Sequence, residues 1–242
     1  MHRHRHHHAH IYRSRRHLLA TVFLLLLPLL ALLASTAWSR AESGTFLLDV
    51  GLSSIRLAIA YAVAATLAWL FAVLFERGPL AVIALPLFDV LQSFPTFALL
   101  PLATIVFGHG NVTVVFFLIV TIIWPILFSV LSSLKLARQD WREAVHVAGL
   151  HGWQYIRLYL WPVTVPGLIT GSVIGLGEGW EALVATEMLV GVRHGLGAFF
   201  QLQADHPAFT ALGILALLFV IFGINKILWL PLLDWGHHSL EE

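Results

Sequence analysis

Long apolar segments alternate with short polar connectors along most of the 242-residue chain. Each apolar segment has about twenty residues or more, the length that a helix needs to cross the hydrocarbon core of a bilayer. The pattern predicts an all-α polytopic membrane protein with six transmembrane helices, roughly Leu18–Trp38, Leu52–Phe75, Leu87–Phe107, Val112–Leu134, Val163–Val190 and Phe209–Leu233. The apolar segment Leu80–Leu87 is short and contains Pro86, so we expect a loop or an interfacial piece there.

The basic residues indicate how these spans are oriented. They concentrate in the N-terminal tail, residues 1–17, and in the connector between spans four and five: Arg3, Arg5, Arg13, Arg15, Arg16, Lys135, Arg138, Arg142 and Arg157. Loops rich in lysine and arginine stay on the cytoplasmic side. The tail and this connector are therefore predicted to be cytoplasmic, and six spans place the C-terminus there too.

The tail and the first span each allow two interpretations. The histidine-rich stretch His2–His10 could hold metal, although a solvated arm attracted to anionic lipid headgroups is the simpler interpretation. The first apolar run, followed by Ser35-Thr-Ala37, could be a cleaved signal peptide. It is longer than the apolar core of such a peptide, which favours a retained helix at residues 18–38.

Composition narrows the possible functions. The chain is 59% hydrophobic and 11% charged, whereas soluble domains carry about 25% charged residues. A formal net charge of +1 gives no indication of a nucleic-acid partner, and a chain without cysteine can form neither a disulfide nor a thiolate site. The phosphate-binding loop, the nucleophile elbow and the zinc-protease helix are all missing from the sequence. We therefore expect no enzyme, no bound cofactor and no metal site.

One polar stretch between spans four and five has the sequence pattern of a short helix that is capped at both ends. Asp140 and Glu143 have the spacing of a capping box, and Gly149 can take the left-handed conformation that ends a helix. A second short segment, Trp153–Trp161, is predicted to run as far as Pro162. Such a structured loop on the cytoplasmic side indicates a surface that is presented to a partner.

Spans three and five carry the residues expected to shape a transport path. Pro95 and Pro101 predict a kinked third span that ends at Gly108. In span five, small residues spaced by four allow close helix approach, and they are Gly171, Gly175 and Gly179.

The same fifth span carries carboxylates at membrane depth. Such groups are costly in a bilayer and usually face a cavity or a partner, so Glu178 and Glu181, with Glu187 further along, could line a solute pathway. Alternatively, the helix could break between Gly175 and Gly179, leaving the carboxylates near the outer surface or in structural pairs. Arg56, near the outer mouth of span two, could pair with a carboxylate, attract an anion or extend to the surface.

The polar loop resembles the EAA loop of ABC-importer membrane subunits. That pattern runs Glu-Ala-Ala, three residues, Gly, nine residues, then Ile-x-Leu-Pro. Here Glu143, Ala144, Gly149 and Pro162 match at the right spacing, while the second alanine is Val145, and the Ile and Leu positions are Tyr159 and Trp161.

The resemblance extends from about Leu52 to Asp234, and within the family the chain is most similar to nitrate/sulfonate/taurine-type permeases. Matching segments occur in the same order and include Phe94–Gly108, Trp124-Pro-Ile, Pro162 with Pro166 and Gly171, Ala185-Thr-Glu187 and Gly195-Leu-Gly197. The resemblance implies a core permease domain over residues 52–234, with a coupling loop at residues 139–162.

The resemblance also implies partners and a location. Two membrane subunits, expected to be a homodimer, would pair in a bacterial or archaeal plasma membrane, and two cytoplasmic ATPases holding ATP and Mg would dock on the coupling loops. An external binding protein would deliver the solute. The solute could be nitrate, a sulfonate, taurine or bicarbonate, but two carboxylates are unfavourable for an anion, so a cationic, zwitterionic or neutral solute stays open. The alternative function is a secondary transporter driven by an ion gradient through Glu178, Glu181 and Glu187.

Overall fold

The computed structural model describes residues 43–75, 79–137 and 139–224, and these residues form helices joined by short turns. The helices are α1 (Ser43–Leu74), α2 (Pro79–Gln92), α3 (Leu100–Phe107), α4 (Asn111–Leu136), α5 (Gln139–Val147), α6 (Gly152–Tyr155), α7 (Trp161–Val190), α8 (Leu196–Leu202) and α9 (Pro207–Ile224). The all-α fold class is thereby confirmed. The histidine-rich tail, the first predicted span with its signal-peptide alternative, and the last residues of the sixth span lie outside the described residues.

Three helices of the described part are long and apolar enough to cross a membrane: Phe46–Leu74, Asn111–Leu136 and Gly152–Val190. A bent pair of shorter helices would make a fourth span, and the apolar α9 covers the described part of the sixth. The helix of span two begins at Ser43 rather than at the predicted Leu52. It extends further because Asp49, which reads as a connector residue in the sequence, has a hydrogen-bond partner inside the fold.

The third predicted span is not one kinked helix. Its two halves, Val82–Gln92 and Thr96–Phe107, meet at 87°. Leu80–Leu87, expected to be a loop or an interfacial piece, is part of α2, which stays helical through Pro86. The polar backbone groups of an apolar segment away from water are best satisfied by the hydrogen bonds of a helix. The break comes at Pro95, one of the two predicted kink positions and the N-cap of a 3₁₀ turn. Pro101 lies in the first turn of α3, and α3 ends as predicted at Gly108, whose φ is 76°.

The centre of the bundle is the packing of α4 against α7, with α1 alongside. The predicted glycine face of α7 rests on α4. A Cβ added at Gly171 would lie 2.6 Å from the Cα of Ile126, and one at Gly175 would lie 3.1 Å from the Ile122 carbonyl oxygen. The close approach predicted from the glycine spacing is therefore confirmed, and its partner is the fourth span of the same chain.

The second half of the polar loop differs from the expected short segment ending at Pro162. The chain is one continuous helix from Gly152 to Val190, in which a π turn at Ile156–Leu160 links α6 to α7. Proline has no N–H and its ring clashes with the carbonyl four residues earlier, so it strains an ordinary α-helix. A π turn just before Pro162 widens the backbone at that point and lets the helix run on.

Candidate functional site

Helix α5 is a short amphipathic helix that terminates the way the sequence predicts. Trp141 and Val145 pack against the hydrophobic core, whereas Glu143, Ala144 and Val147 are on the exposed face. The helix begins at Gln139, so Asp140 lies in its first turn rather than at the N-cap position.

The end of α5 is a Schellman motif. Gly149 has φ 61°, its N–H donates to the carbonyl of His146, and the Leu150 N–H donates to the carbonyl of Val145 (3.3 Å). A side chain at φ > 0 would be strained, which explains the glycine at this position. The motif turns the chain sharply into α6. The direction of α5 relative to the long helix is therefore set by the backbone conformation at Gly149 and Leu150.

Large apolar side chains before, within and after α5 are exposed. Val147 is 88% exposed, Trp153 72% and Leu136 81%. Exposed apolar side chains that lie close together in the chain are typical of surfaces that another protein covers. Glu143, Ala144 and Gly149 are thus all exposed within one segment, whose outer face we call the α5 surface (residues 139–153). Pro162 lies apart from it, in the first turn of α7.

Glu178 lines a cavity at membrane depth. The cavity measures about 410 Å³ and is lined by Gln92, Thr96, Thr121, Trp124, Pro125, Phe128, Ser129, Ile174 and Glu178. The break in the third span, residues 93–95, lies between two of these lining residues. Irregular backbone at membrane depth is tolerated where it lines a cavity or is buried in protein. The helix α7 is unbroken through Gly175–Gly179, so the alternative of a break there is wrong.

Glu181, one turn after Glu178 in α7, is exposed as Glu178 is, but it is not among the residues that line this cavity. The third carboxylate lies in a different setting. Glu187 is fully buried, with 0% exposure, and forms an ion pair with Arg56 (2.5 Å between Oε1 and Nη1).

The ion pair belongs to a larger network that ties α1 to the loop before α8. The Ser53 hydroxyl donates to the Glu187 carboxylate (2.8 Å), and the N–H of Gly197 donates to its other oxygen (2.9 Å). The N–H of Leu196 donates to Ser53 (2.9 Å) and that of Gly195 donates to Asp49 (2.8 Å). Three successive backbone N–H groups at the start of α8 are thus satisfied by side chains.

Arg56 uses its remaining donors in the same place. Its Nη2 donates to the carbonyl of His194 (2.8 Å) and its Nε to the Asn111 side chain (3.0 Å). A Cβ on Gly195 would lie 2.5 Å from the Glu187 carboxylate and 2.6 Å from the Arg56 guanidinium. We call this network the Arg56–Glu187 clasp, comprising Asp49, Ser53, Arg56, Glu187 and the 194–197 backbone.

Sequence reasoning named both ions of the clasp but missed Asp49 and Ser53. The signal was present, because Asp49, Ser53 and Arg56 are spaced by four and three residues and so share one face of a helix. Their partner is more than 130 residues away in the chain, which no helical periodicity reveals. The clasp gives Arg56 and Glu187 a structural partner, and their place on a solute pathway stays a prediction.

The structure therefore defines a multi-pass helical membrane protein with a short amphipathic helix whose outer face is exposed and a cavity with polar lining residues among its spans. Residues 64–230 match the family model of the binding-protein-dependent transport system inner membrane component, and the chain belongs to that family.

Curated relatives agree with this assignment. The chain is 33% identical over 170 residues to a nitrate import permease protein of Synechocystis sp., covering 69% of this chain and 61% of the relative. It is 32% identical over 123 residues to the taurine transport system permease protein of Escherichia coli, covering 51% and 44%. It is 27% identical over 135 residues to a bicarbonate transport system permease protein of Synechococcus elongatus, covering 56% and 48%. The chain spans about three fifths of the length of the nitrate permease relative.

Proposed function

We propose that this chain is the membrane-spanning subunit of an ATP-driven importer and that the α5 surface transmits ATP-driven motion to it. The observation that carries the proposal is the form of that surface. A helix held on the core by Trp141 and Val145 presents Glu143, Ala144 and Val147 outwards. The sequence has no phosphate-binding loop of its own, so ATP and Mg would be held by a separate ATPase subunit.

The long helix from Gly152 to Val190 supplies a route for that motion. It starts next to the α5 surface and contains both the cavity residue Glu178 and the clasp residue Glu187. A force on α5 would tilt this helix about the clasp that holds Glu187 and so move the part of the helix that borders the cavity. Family membership further supports an external binding protein and a pair of membrane subunits, proposed here as a homodimer with both chain termini in the cytoplasm.

The names of the relatives indicate only a class of solute. Nitrate, bicarbonate and taurine are named for them, so we propose a solute of comparable size. The ion-gradient alternative finds no support among the matched proteins, and the burial of Glu187 in an ion pair weakens it further, because a proton carrier must exchange with water.

The coupling role is tested by reversing a charge on the α5 surface. Glu143→Lys, and separately a one-residue insertion after Gly149, should abolish ATP-dependent uptake and retention of the ATPase subunit while the chain still enters the membrane. The assay measures uptake of nitrate, bicarbonate and taurine by cells that produce the complete transporter, with Asp205→Lys, an equal charge reversal in the α8–α9 turn, as control. Normal uptake and normal ATPase co-purification in Glu143→Lys would overturn the proposal.

A further inference from the structure

The residues that line the Glu178 cavity indicate which charge of solute it would accommodate. Its volume of about 410 Å³ is in the range of small-molecule sites, roughly 300–1,000 Å³. Its polar lining consists of one carboxylate, one amide and hydroxyl groups, and none of the described residues that line it is lysine, arginine or histidine. A simple anion would meet a negative charge there without a compensating positive one.

Two aromatic side chains also line the cavity. Trp124 and Phe128 are spaced by four residues on α4, so both lie on the face of the helix that borders the cavity. Aromatic faces attract cations, and more strongly when the cation is removed from water. A carboxylate beside two aromatic side chains, with hydroxyl and amide acceptors such as Thr121 and Gln92, is a setting that suits an ammonium group.

The neighbouring charges do not cancel this preference. A second cavity shares Phe128 with the first and is lined by Asp89 and Lys135, which are of opposite sign. Arg56, a basic residue of the neighbouring helix α1, is already paired with Glu187. Among the described residues that line its cavity, Glu178 is therefore the one charged residue.

We propose that the Glu178 cavity selects solutes with a cationic nitrogen, zwitterions included, over simple anions. This inference rests on the proposed transport function and specifies the substrate class at its pathway. Among the solutes named for the relatives, the proposal favours a taurine-like zwitterion and disfavours nitrate and bicarbonate.

The absence of cysteine from the chain allows a direct measurement of the cavity's charge preference. Thr121→Cys places one thiol in the cavity of the full-length chain, reconstituted in lipid vesicles. The probes are a trimethylammonium-ethyl and a sulfonatoethyl methanethiosulfonate, which carry opposite charges, and neutral methyl methanethiosulfonate reports access and folding. Each rate is divided by the rate of the same reagent with a free thiol in solution.

The expected cation-to-anion rate ratio at Thr121→Cys is about tenfold, the order of effect of one nearby charge at intermediate dielectric. Adding Glu178→Gln should bring the ratio close to one, whereas adding Glu181→Gln, which removes a carboxylate one turn away, should leave most of it. Ser132→Cys, beside both Asp89 and Lys135, should show a ratio near one.

A ratio near one at Thr121→Cys, a ratio that Glu178→Gln leaves unchanged, or a thiol that reacts with none of the three reagents would overturn the inference. The measurement needs neither ATP nor a partner protein. A cation-to-anion rate ratio near one at Thr121→Cys, together with uptake that Glu143→Lys abolishes, would therefore refute the substrate class alone. A tenfold ratio with uptake that is indifferent to Glu143→Lys would refute the coupling proposal alone.

Discussion

At the scale of single residues, the most constrained group is Glu187. Its carboxylate accepts hydrogen bonds from Ser53, Arg56 and Gly197, and its side chain is fully enclosed. A buried charge is tolerated only when it is paired and its remaining lone pairs are satisfied, and the clasp meets both conditions. The network joins α1, α7 and the start of α8, so it fixes three separate segments at one point.

Removing one ion of the clasp should destabilise the chain strongly. Glu187→Leu leaves the Arg56 guanidinium buried without its counter-ion, a loss of about 3–5 kcal/mol. Thermal unfolding in detergent should show a marked fall in Tm for Glu187→Leu and for Arg56→Met, and almost none for Glu181→Leu, which alters an exposed carboxylate of the same helix.

A double variant tests whether Arg56 and Glu187 stabilise the chain as an ion pair or independently of each other. Arg56→Met combined with Glu187→Leu removes both charges, so the double variant should lose clearly less stability than the sum of the two single variants. Strict additivity of the three Tm shifts would contradict the clasp.

At the scale of elements, the glycine face of α7 determines how closely the two central helices approach. Gly171 and Gly175 touch the backbone of α4, whereas Gly177 on the same helix has no atom within 4 Å of an added Cβ. This difference provides a matched pair of substitutions.

Gly171→Leu should push α4 and α7 apart and lower both the yield and the Tm of the purified chain, at a cost of several kcal/mol for overpacking against backbone. Gly177→Leu, which changes the same residue type six positions later, should be nearly neutral. Equal Tm values for these two variants, measured side by side, would show that the face does not carry the packing described.

The left-handed glycine at the end of α5 makes a separate prediction. Gly149→Val should strain the backbone at φ 61° by about 1–2 kcal/mol and misdirect the α5 surface, reducing ATP-dependent uptake. Gly149→Asn should retain most of the uptake because asparagine tolerates this conformation. If valine and asparagine behave alike in the uptake assay, the conformation of Gly149 is not what coupling depends on.

Sequence periodicity predicts some of these elements better than others, depending on whether the feature is local in the chain. The spans and the glycine face follow from composition and spacing, which are local properties of the chain. The sequence predicts a loop or an interfacial piece at Pro86 and kinks at Pro95 and Pro101, but only Pro95 coincides with the 87° break. The effect of a proline depends on whether neighbouring groups satisfy the backbone that it leaves unbonded, which the sequence does not show. The cavity around Glu178 combines residues of three helices, so spacing within one helix could suggest Glu178 but not its neighbours.

At the scale of the whole molecule, three features lie along one continuous helix. The α5 surface adjoins its start, the Glu178 cavity borders its middle, and the clasp holds its far end through Glu187. A rigid helix anchored at one end and pushed at the other can change the shape of a cavity between them. This arrangement is the physical basis for proposing that ATP-driven motion at the loop reaches the solute path.

The most direct test of this account is whether an ATPase sits on the α5 surface. A photo-crosslinking benzoylphenylalanine replaces Val147, which is 88% exposed on that surface, and in a second chain it replaces Leu202, which is 70% exposed at the end of α8. After illumination of membranes from cells with the complete transporter, the Val147 chain should form an adduct identified by mass spectrometry as an ABC-type ATPase, and the Leu202 chain should not. No ATPase adduct at position 147, or equal adducts at both positions, would contradict the account.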